Sequence, residues 1–311
     1  MLAERPWLAL IGVLLVLVLL IAIVRPGTVG PTWVGNTVLF AAPLGIVAAG
    51  QTLVMLTAGI DLSVAAVMTT AAYVAASQSY YGSVRSVLLA LAVGLVVGLL
   101  NGIGVAIFRV QPLIMTLGMG LVVSGSLLIY QLNTSREGPP NVPDIARVLG
   151  SGKLLEVVPY SAFLWVGIAA MAIAGLRYTG LGRLIYAVGD NPVAVRLASI
   201  RGWLVLLATY VMCGFLSGVA GLVLLGAIGG ADLSLADVYL LPSVAAVVIG
   251  GTSIYGGHGG YAGTLVGALI LTVLSSFFTL IDAPDPVKQI LYGAIVVLLA
   301  ALYVRTAGET R

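Results

Sequence analysis

Charge is scarce in this sequence. Only 8% of its 311 residues are Asp, Glu, Lys or Arg, where a soluble globular domain carries about a quarter. A chain this poor in charge cannot clothe a surface facing water, which excludes a soluble fold with a large core. Lysine occurs only at Lys153 and Lys288, and neither stands in a Gly-x-x-x-x-Gly-Lys-Ser/Thr frame. No phosphate-binding loop is present, so any ATP hydrolysis would have to come from a partner. Cysteine and histidine occur once each, as Cys213 and His258. One cysteine excludes an internal disulfide and a cysteine metal cluster, and one histidine excludes a His-rich metal site. No metal or cofactor is expected. Neither a serine nor Cys213 has a convincing histidine partner, so an intramembrane enzyme is not expected either. No block of Lys and Arg marks a nucleic-acid surface. The net charge of +3 and the pI of 9.0 suit the cytoplasmic loops of a membrane protein.

What the sequence has in abundance is apolar length. Sixty per cent of the residues are hydrophobic, and the mean hydropathy is +1.16. Crossing a bilayer takes roughly 20 apolar residues as a helix. Ten such runs are read near 7–24, 36–57, 62–80, 86–107, 111–132, 160–177, 203–228, 240–256, 261–281 and 287–304. The fold expected is all-α, one transmembrane domain over 1–311 with two structurally related halves. The first run follows Arg5 without a small-x-small cleavage site, and is read as an uncleaved helix. The second and third are one run broken at Thr57-Ala58-Gly59-Ile60-Asp61, and the eighth is short, glycine-rich and a candidate re-entrant segment. Among 40 glycines, Gly94, Gly98 and Gly102, then Gly214 and Gly218, then Gly263 and Gly267 recur every four residues. That spacing makes stripes on which helix backbones can touch, so these glycines predict packing and not a reactive site.

An even number of spans puts both termini on one side. Arg5, Arg109, Arg177, Arg183, Arg196, Arg201, Arg305 and Arg311 then share that side; Arg25, Arg85, Arg136, Arg147, Lys153 and Lys288 share the other. Four of the first set sit in or beside the loop 178–202, which places that loop and both termini in the cytoplasm of an inner membrane. The longest polar stretch, 133–159 with Pro139, Pro140 and Pro143, falls on the periplasmic side, where a partner could meet it.

Asp61 is the one acidic residue well inside the spans. An unpartnered carboxylate there costs several kcal/mol. It either caps the next helix, accepting from the backbone of Val64 or of an exposed Ser63, or lines a transport path, and the two roles are compatible. Polar residues recur in the spans at Asn36, Gln51, Thr52, Asn101, Gln111, Thr116, Ser124 and Gln131. Each could serve a polar solute or an interhelical hydrogen bond. Gln51, Asp61, Ser63, Asn101 and Thr116 are the candidate path residues. In the loop 178–202, Asn191 can cap a helix that starts at Pro192, with Asp190 complementing the dipole. Val193, Leu197 and Ile200 then fall on one face with Arg196 beside them, and Gly202 is the expected stop. So short a helix needs a surface to dock on, its own bundle or a partner.

Four runs in order resemble the ribose-type ABC sugar permeases. They are Ala58-Gly-Ile-Asp-Leu-Ser-Val64; Asn101-Gly102 with Gln111-Pro-Leu-Ile-Met-Thr-Leu-Gly118; Tyr186-Ala-Val-Gly-Asp-Asn-Pro192 with Arg196-Leu197; and Ala245-Ala-Val-Val-Ile-Gly-Gly-Thr-Ser253 with Gly256-Gly257 and Gly263-Thr264. The resemblance covers about 40–300 and is specific for the family, not for its substrate. It implies alternating access in a pair of permeases, a cytoplasmic pair of ATPases and a periplasmic sugar-binding protein. It also implies that Asp190, Asn191, Pro192, Val193, Arg196, Leu197 and Ile200 form the segment that touches the ATPase. Ala58 and Ala65 stand where the family usually has glycine and are expected to tighten packing only. Val193 replaces a common acidic residue and His258 a common arginine. Two other functions stay open: a permease of the same superfamily for branched-chain amino acids, nucleosides or a signalling furanose, and a proton-coupled carrier using Asp61.

Overall fold

A computed structural model describes residues 6–134, 141–284, 286–288, 290, 291, 293 and 294. Its helices are α1 (Pro6–Val24), α2 (Pro31–Leu56), α3 (Val64–Ser77), α4 (Ser83–Ala106), α5 (Pro112–Thr134), α6 (Asp144–Ser151), α7 (Tyr160–Tyr178), α8 (Gly180–Asp190), α9 (Pro192–Leu197), α10 (Gly202–Ile228), α11 (Leu240–Ile249) and α12 (Tyr261–Leu280). A two-residue hairpin, β1 (Lys153–Leu154) with β2 (Val158–Pro159), is the strand structure among the described residues.

Nine of the ten apolar runs coincide with a helix, while most of the run 287–304 lies outside the described residues. So do Arg5, Arg136, Pro139, Pro140, Arg305 and Arg311. Among the described residues, six helices, α2, α4, α5, α7, α10 and α12, are long and apolar enough to cross a membrane. The third and eighth runs are shorter than read. At a rise of about 1.5 Å per residue, the 14 residues of α3 and the 10 of α11 fall well short of a hydrocarbon core of about 30 Å. Both stop where glycine or a turn interrupts the apolar run.

α2 is the axis of the bundle. Every residue from Ala41 to Leu56 is buried, as expected of a helix apolar on all sides. Pro31 stands at its first turn, where the missing N–H costs nothing. α7, α10, α11 and α12 pack around it. α10 crosses α4 at the predicted stripes: a side chain on Gly94 or Gly214 would run into the other's backbone, and Gly98 faces Tyr210 and Gly214. Gly263 and Gly267 seat α12 on the backbone of α11 at Gly250 and Ala246 in the same way. α5 lies at the outside, with Leu121 70% and Leu132 69% exposed.

The polar stretch 133–159 is less free than its composition suggests. α6 folds back onto α10, with Gly150 and Ala146 against the backbone of Gly226. Lys153 Nζ donates to Asn36 Oδ1 on α2 at 3.2 Å. The Arg147–Asp144 ion pair, at 3.3 Å, remains on the surface.

Candidate functional site at the helix break

The chain leaves helical geometry between Leu56 and Val64, at the centre of the bundle. Backbone groups freed at such depth must find partners within the protein. The carbonyls of Val54, Met55, Leu56 and Ile60 do. Val54 O accepts from Gly59 N and the Thr57 hydroxyl, and Met55 O from Ala58 N. Leu56 O accepts from Gly257 N at 3.0 Å. Ile60 O accepts from Thr116 Oγ1 at 3.1 Å, while the same hydroxyl accepts from Leu62 N at 3.0 Å. With its amide oriented to match the surrounding donor and acceptor, Gln51 donates to Asp61 O at 3.2 Å and accepts from Asp61 N at 3.3 Å.

The Asp61 carboxylate folds back on its own chain. Oδ1 accepts from Ser63 N at 2.9 Å and Ser63 Oγ at 2.6 Å. Asn101 Nδ2 on α4 donates to Ser63 Oγ at 2.9 Å. Tyr210 and Cys213 on α10 also neighbour the carboxylate. Of the two expected backbone donors, Ser63 N and not Val64 N meets the carboxylate, because Ser63 itself stands at the N-cap of α3. One expectation is corrected here. Ser63 is buried, not exposed. Gln51, Asp61, Ser63, Asn101 and Thr116 are thus brought together, all at 0–1% exposure. Of the other polar residues, Thr52 pairs with Thr264 at 3.0 Å, whereas Gln111 and Ser124 are exposed on the α5 side.

Ala58 corrects a second expectation. It is exposed and holds φ at +60°, a left-handed geometry costing a non-glycine residue about 1–2 kcal/mol. The alanine therefore strains the turn and does not tighten packing. Ala65, by contrast, is buried.

The loop 178–202 contains two helices. Thr179 caps α8 by accepting from Gly182 N at 3.0 Å, a start the sequence reading missed although Thr179 is a good capping residue. Asp190 is the last residue of α8, not the opening of the next helix. Asn191 caps α9 as expected, accepting from Val193 N at 3.1 Å and Ala194 N at 2.9 Å, with Pro192 following. α9 then ends sooner than the apolar spacing implied. Its last residue is Leu197, Ser199 turns left-handed at φ +59°, and Gly202 opens α10 instead of stopping α9. Ile200 consequently leaves the face carrying Val193 and Leu197. Those two are 57% and 82% exposed, while Val195 is the buried residue of the helix.

The segment 250–260 joins the break to α8. Gly251, Gly256, Gly257 and Gly259 take φ from +73° to +119°, which only glycine adopts freely. A side chain at Gly189 would strike the Leu56 carbonyl and Gly257 N. Tyr186 Oη donates to Gly259 O at 2.9 Å, and burial raises the Tyr186 phenol above its usual range. The end of α8, the end of α2 and the glycine segment therefore share one junction. A second contact escaped the sequence reading: Trp165 Nε1 donates to Tyr261 Oη at 2.7 Å, and Tyr261 Oη donates to Gly45 O at 2.7 Å. These tie α7 and α12 to α2.

Known proteins are similar to this chain over most of its length. The family described as branched-chain amino acid transport system, permease component, matches residues 34–300. The ribose import permease of Escherichia coli K12 is 36% identical over 306 residues, covering 96% of this chain and 94% of its own. The fructose import permease of Rhizobium meliloti is 34% identical over 268 residues, covering 84% and 74%. The galactofuranose transporter permease of Escherichia coli K12 is 37% identical over 259 residues, covering 82% and 75%. No solved structure matches. With a buried polar helix break in an apolar bundle, and a family match running from α2 to the end of the described residues, the chain belongs to the permease-component family of branched-chain amino acid transport systems.

Proposed function

We propose that this chain is the membrane-spanning permease subunit of an ATP-driven importer of a monosaccharide. The observation that carries this is the set of relatives named for ribose import, fructose import and galactofuranose transport, matched over 82–96% of the chain. The subunit would work in a bacterial inner membrane with both termini in the cytoplasm. Its partners would be cytoplasmic ATPase subunits, a periplasmic sugar-binding protein and a second permease copy.

Transport would proceed by alternating access. The break is a hinge candidate because residues 60–63 share hydrogen bonds with side chains on α2, α4 and α5. Gln51, Asp61, Ser63, Asn101 and Thr116 are enclosed in this conformation. Their donors and acceptors would meet a sugar only when α3 moves relative to α4 and α5. Asp190 to Ile200 would form the coupling segment. Support for this lies in the exposure of Val193 and Leu197 on a helix whose start is firmly capped. Motion there would reach Leu56 through Gly189.

Leu197→Asp tests the coupling. Leu197 is 82% exposed, so the variant should fold and reach the membrane. Losing an apolar interface anchor costs about 2 kcal/mol or more, and the new charge adds to that. Expressed with its ATPase, the variant should lose ATPase in a pull-down and lose uptake in vesicles. Normal association together with normal uptake would reduce this loop to a connector. A proton-coupled carrier using Asp61 is the competing mechanism, favoured only by the burial of that carboxylate. Uptake that persists without the ATPase would establish it.

A further inference from the structure

Arg109, Arg196 and Arg201 come from three separate parts of the chain and line one cavity of about 320 Å³. Arg109 follows the end of α4, Arg196 lies in the last turn of α9, and Arg201 precedes α10. None of the three forms an ion pair or a side-chain hydrogen bond with another described residue. Three cations around one hollow repel one another, and an anion seated among them would relieve this. Arg109 is also held at φ +56°, a strained geometry that survives where the surroundings impose it. The rest of the lining is apolar, including Val105, Ile200, Trp203 and Leu206.

The cavity's position decides the class of anion. It lies where one apolar spanning helix ends and another begins, at Ala106 of α4 and Gly202 of α10. Phe108 is 73%, Ile107 52% and Trp203 43% exposed beside it. Exposed aromatic and apolar side chains at helix ends mark the headgroup level of a bilayer. Basic pockets between spanning helices at that level suit phosphate headgroups. Guanidinium forks match phosphate oxygens in pairs.

We propose that this cavity binds the phosphate of an anionic phospholipid headgroup, with Trp203 and Ile200 against the adjoining glycerol and acyl region. α9 would then have two surfaces. Val193 and Leu197 do not line the cavity, whereas Pro192, Val195 and Arg196 do. A lipid seated there would brace α9 against α4 and α10 from the membrane side. The site stands whether or not the exposed face of α9 meets an ATPase.

The test compares the full-length permease with Arg109→Gln/Arg201→Gln, leaving Arg196 unchanged. Native mass spectrometry after titration with phosphatidylglycerol, phosphatidylcholine or inorganic phosphate reads the bound species. Wild type should retain phosphatidylglycerol over phosphatidylcholine by at least about tenfold, and the double variant should lose most of that preference, since each interfacial Arg contributes a several-fold gain for an anionic lipid. Arg85→Gln, on a helix end far from the cavity in sequence, should keep it. Inorganic phosphate retained with the same arginine dependence, and no lipid selectivity, would keep a phosphate site but assign it to a free anion. Should the double variant not fold, wild type alone still decides: its phosphatidylglycerol preference must fall with added salt. No preference in wild type, or the same preference in the variant, overturns the proposal. So does a variant that binds lipid normally but loses its ATPase, because the arginines would then belong to a protein interface.

Discussion

Asn101 donates from Nδ2 to the Ser63 hydroxyl at 2.9 Å, and that hydroxyl donates in turn to Asp61 Oδ1 at 2.6 Å. α4 thereby holds the carboxylate in place through one intermediate oxygen. The consequence is that Asp61 acts first as an acceptor for its own chain, satisfying two donors of Ser63 in a buried setting. Asp61→Asn retains an acceptor oxygen, so its stability loss should be about 1–2 kcal/mol with partial uptake remaining. Asp61→Leu leaves both Ser63 donors unsatisfied, at about 1–3 kcal/mol each, and should yield little folded protein. Thermal unfolding in detergent and uptake in vesicles measure both. Proton flux that accompanies uptake and vanishes in Asp61→Asn would instead support the carrier mechanism.

The crossing of α4 and α10 depends on bare backbone. Gly214→Val puts two methyl groups against the Gly94 carbonyl and the backbone of Gly98. Neither can swing aside, so the helices must separate, with an overpacking cost of about 1–3 kcal/mol or more. Gly118→Ala, which faces open space, should be neutral. Paired unfolding measurements decide this, and equal stability of the two variants would mean the crossing tolerates separation.

Gly189 is a different case, since its contacts run to the break. Gly189→Ala would press on the Leu56 carbonyl and Gly257 N, displacing the acceptor that Gly257 uses. The exposed side of α9 is untouched. ATPase association should therefore persist while uptake falls at least several-fold, as expected when a backbone contact between two moving elements is forced apart. Loss of association instead would place the coupling defect in α9 itself.

Sidedness can be read by labelling. In a Cys213→Ala background, Asp144→Cys should react with an impermeant thiol reagent added from the periplasm, and Ala194→Cys should not. Both positions are exposed, whereas Cys213 is fully buried, so accessibility reports the side of the membrane and not burial. Reversed labelling would invert the orientation and remove the coupling assignment.

Local chemistry made several features legible. The Asn191-Pro192 start of α9 needs only a capping side chain and a ring with fixed φ, both of which are sequence properties. The glycine stripes on α4, α10 and α12 follow from helical periodicity alone. Apolar spacing makes α9 longer than it is, because Ile200 keeps that spacing after the backbone has already turned at Ser199. α8 is not legible from apolar spacing, because the Thr179 cap and the burial of Ile185 and Val188 in the bundle make it helical. The strain at Ala58 is not legible in the sequence, because a φ value is not written in a residue's identity.

The sequence by itself determined that this is an apolar helical bundle, where its chain breaks, and which polar residues stand in its spans. Composition and periodicity suffice for that, since burial in lipid permits few alternatives to a satisfied helix. Which partners those residues take was decided only in three dimensions. Thr116 reaches Ile60 and Leu62 across more than 50 positions, and Tyr261 reaches Gly45 across 216. Arg109, Arg196 and Arg201 meet at one cavity only because α4 ends beside the start of α10. Such contacts depend on helix neighbours and crossing angles. Those are set by the summed fit of whole surfaces, above all the close approach of glycine backbones, and no local spacing encodes them.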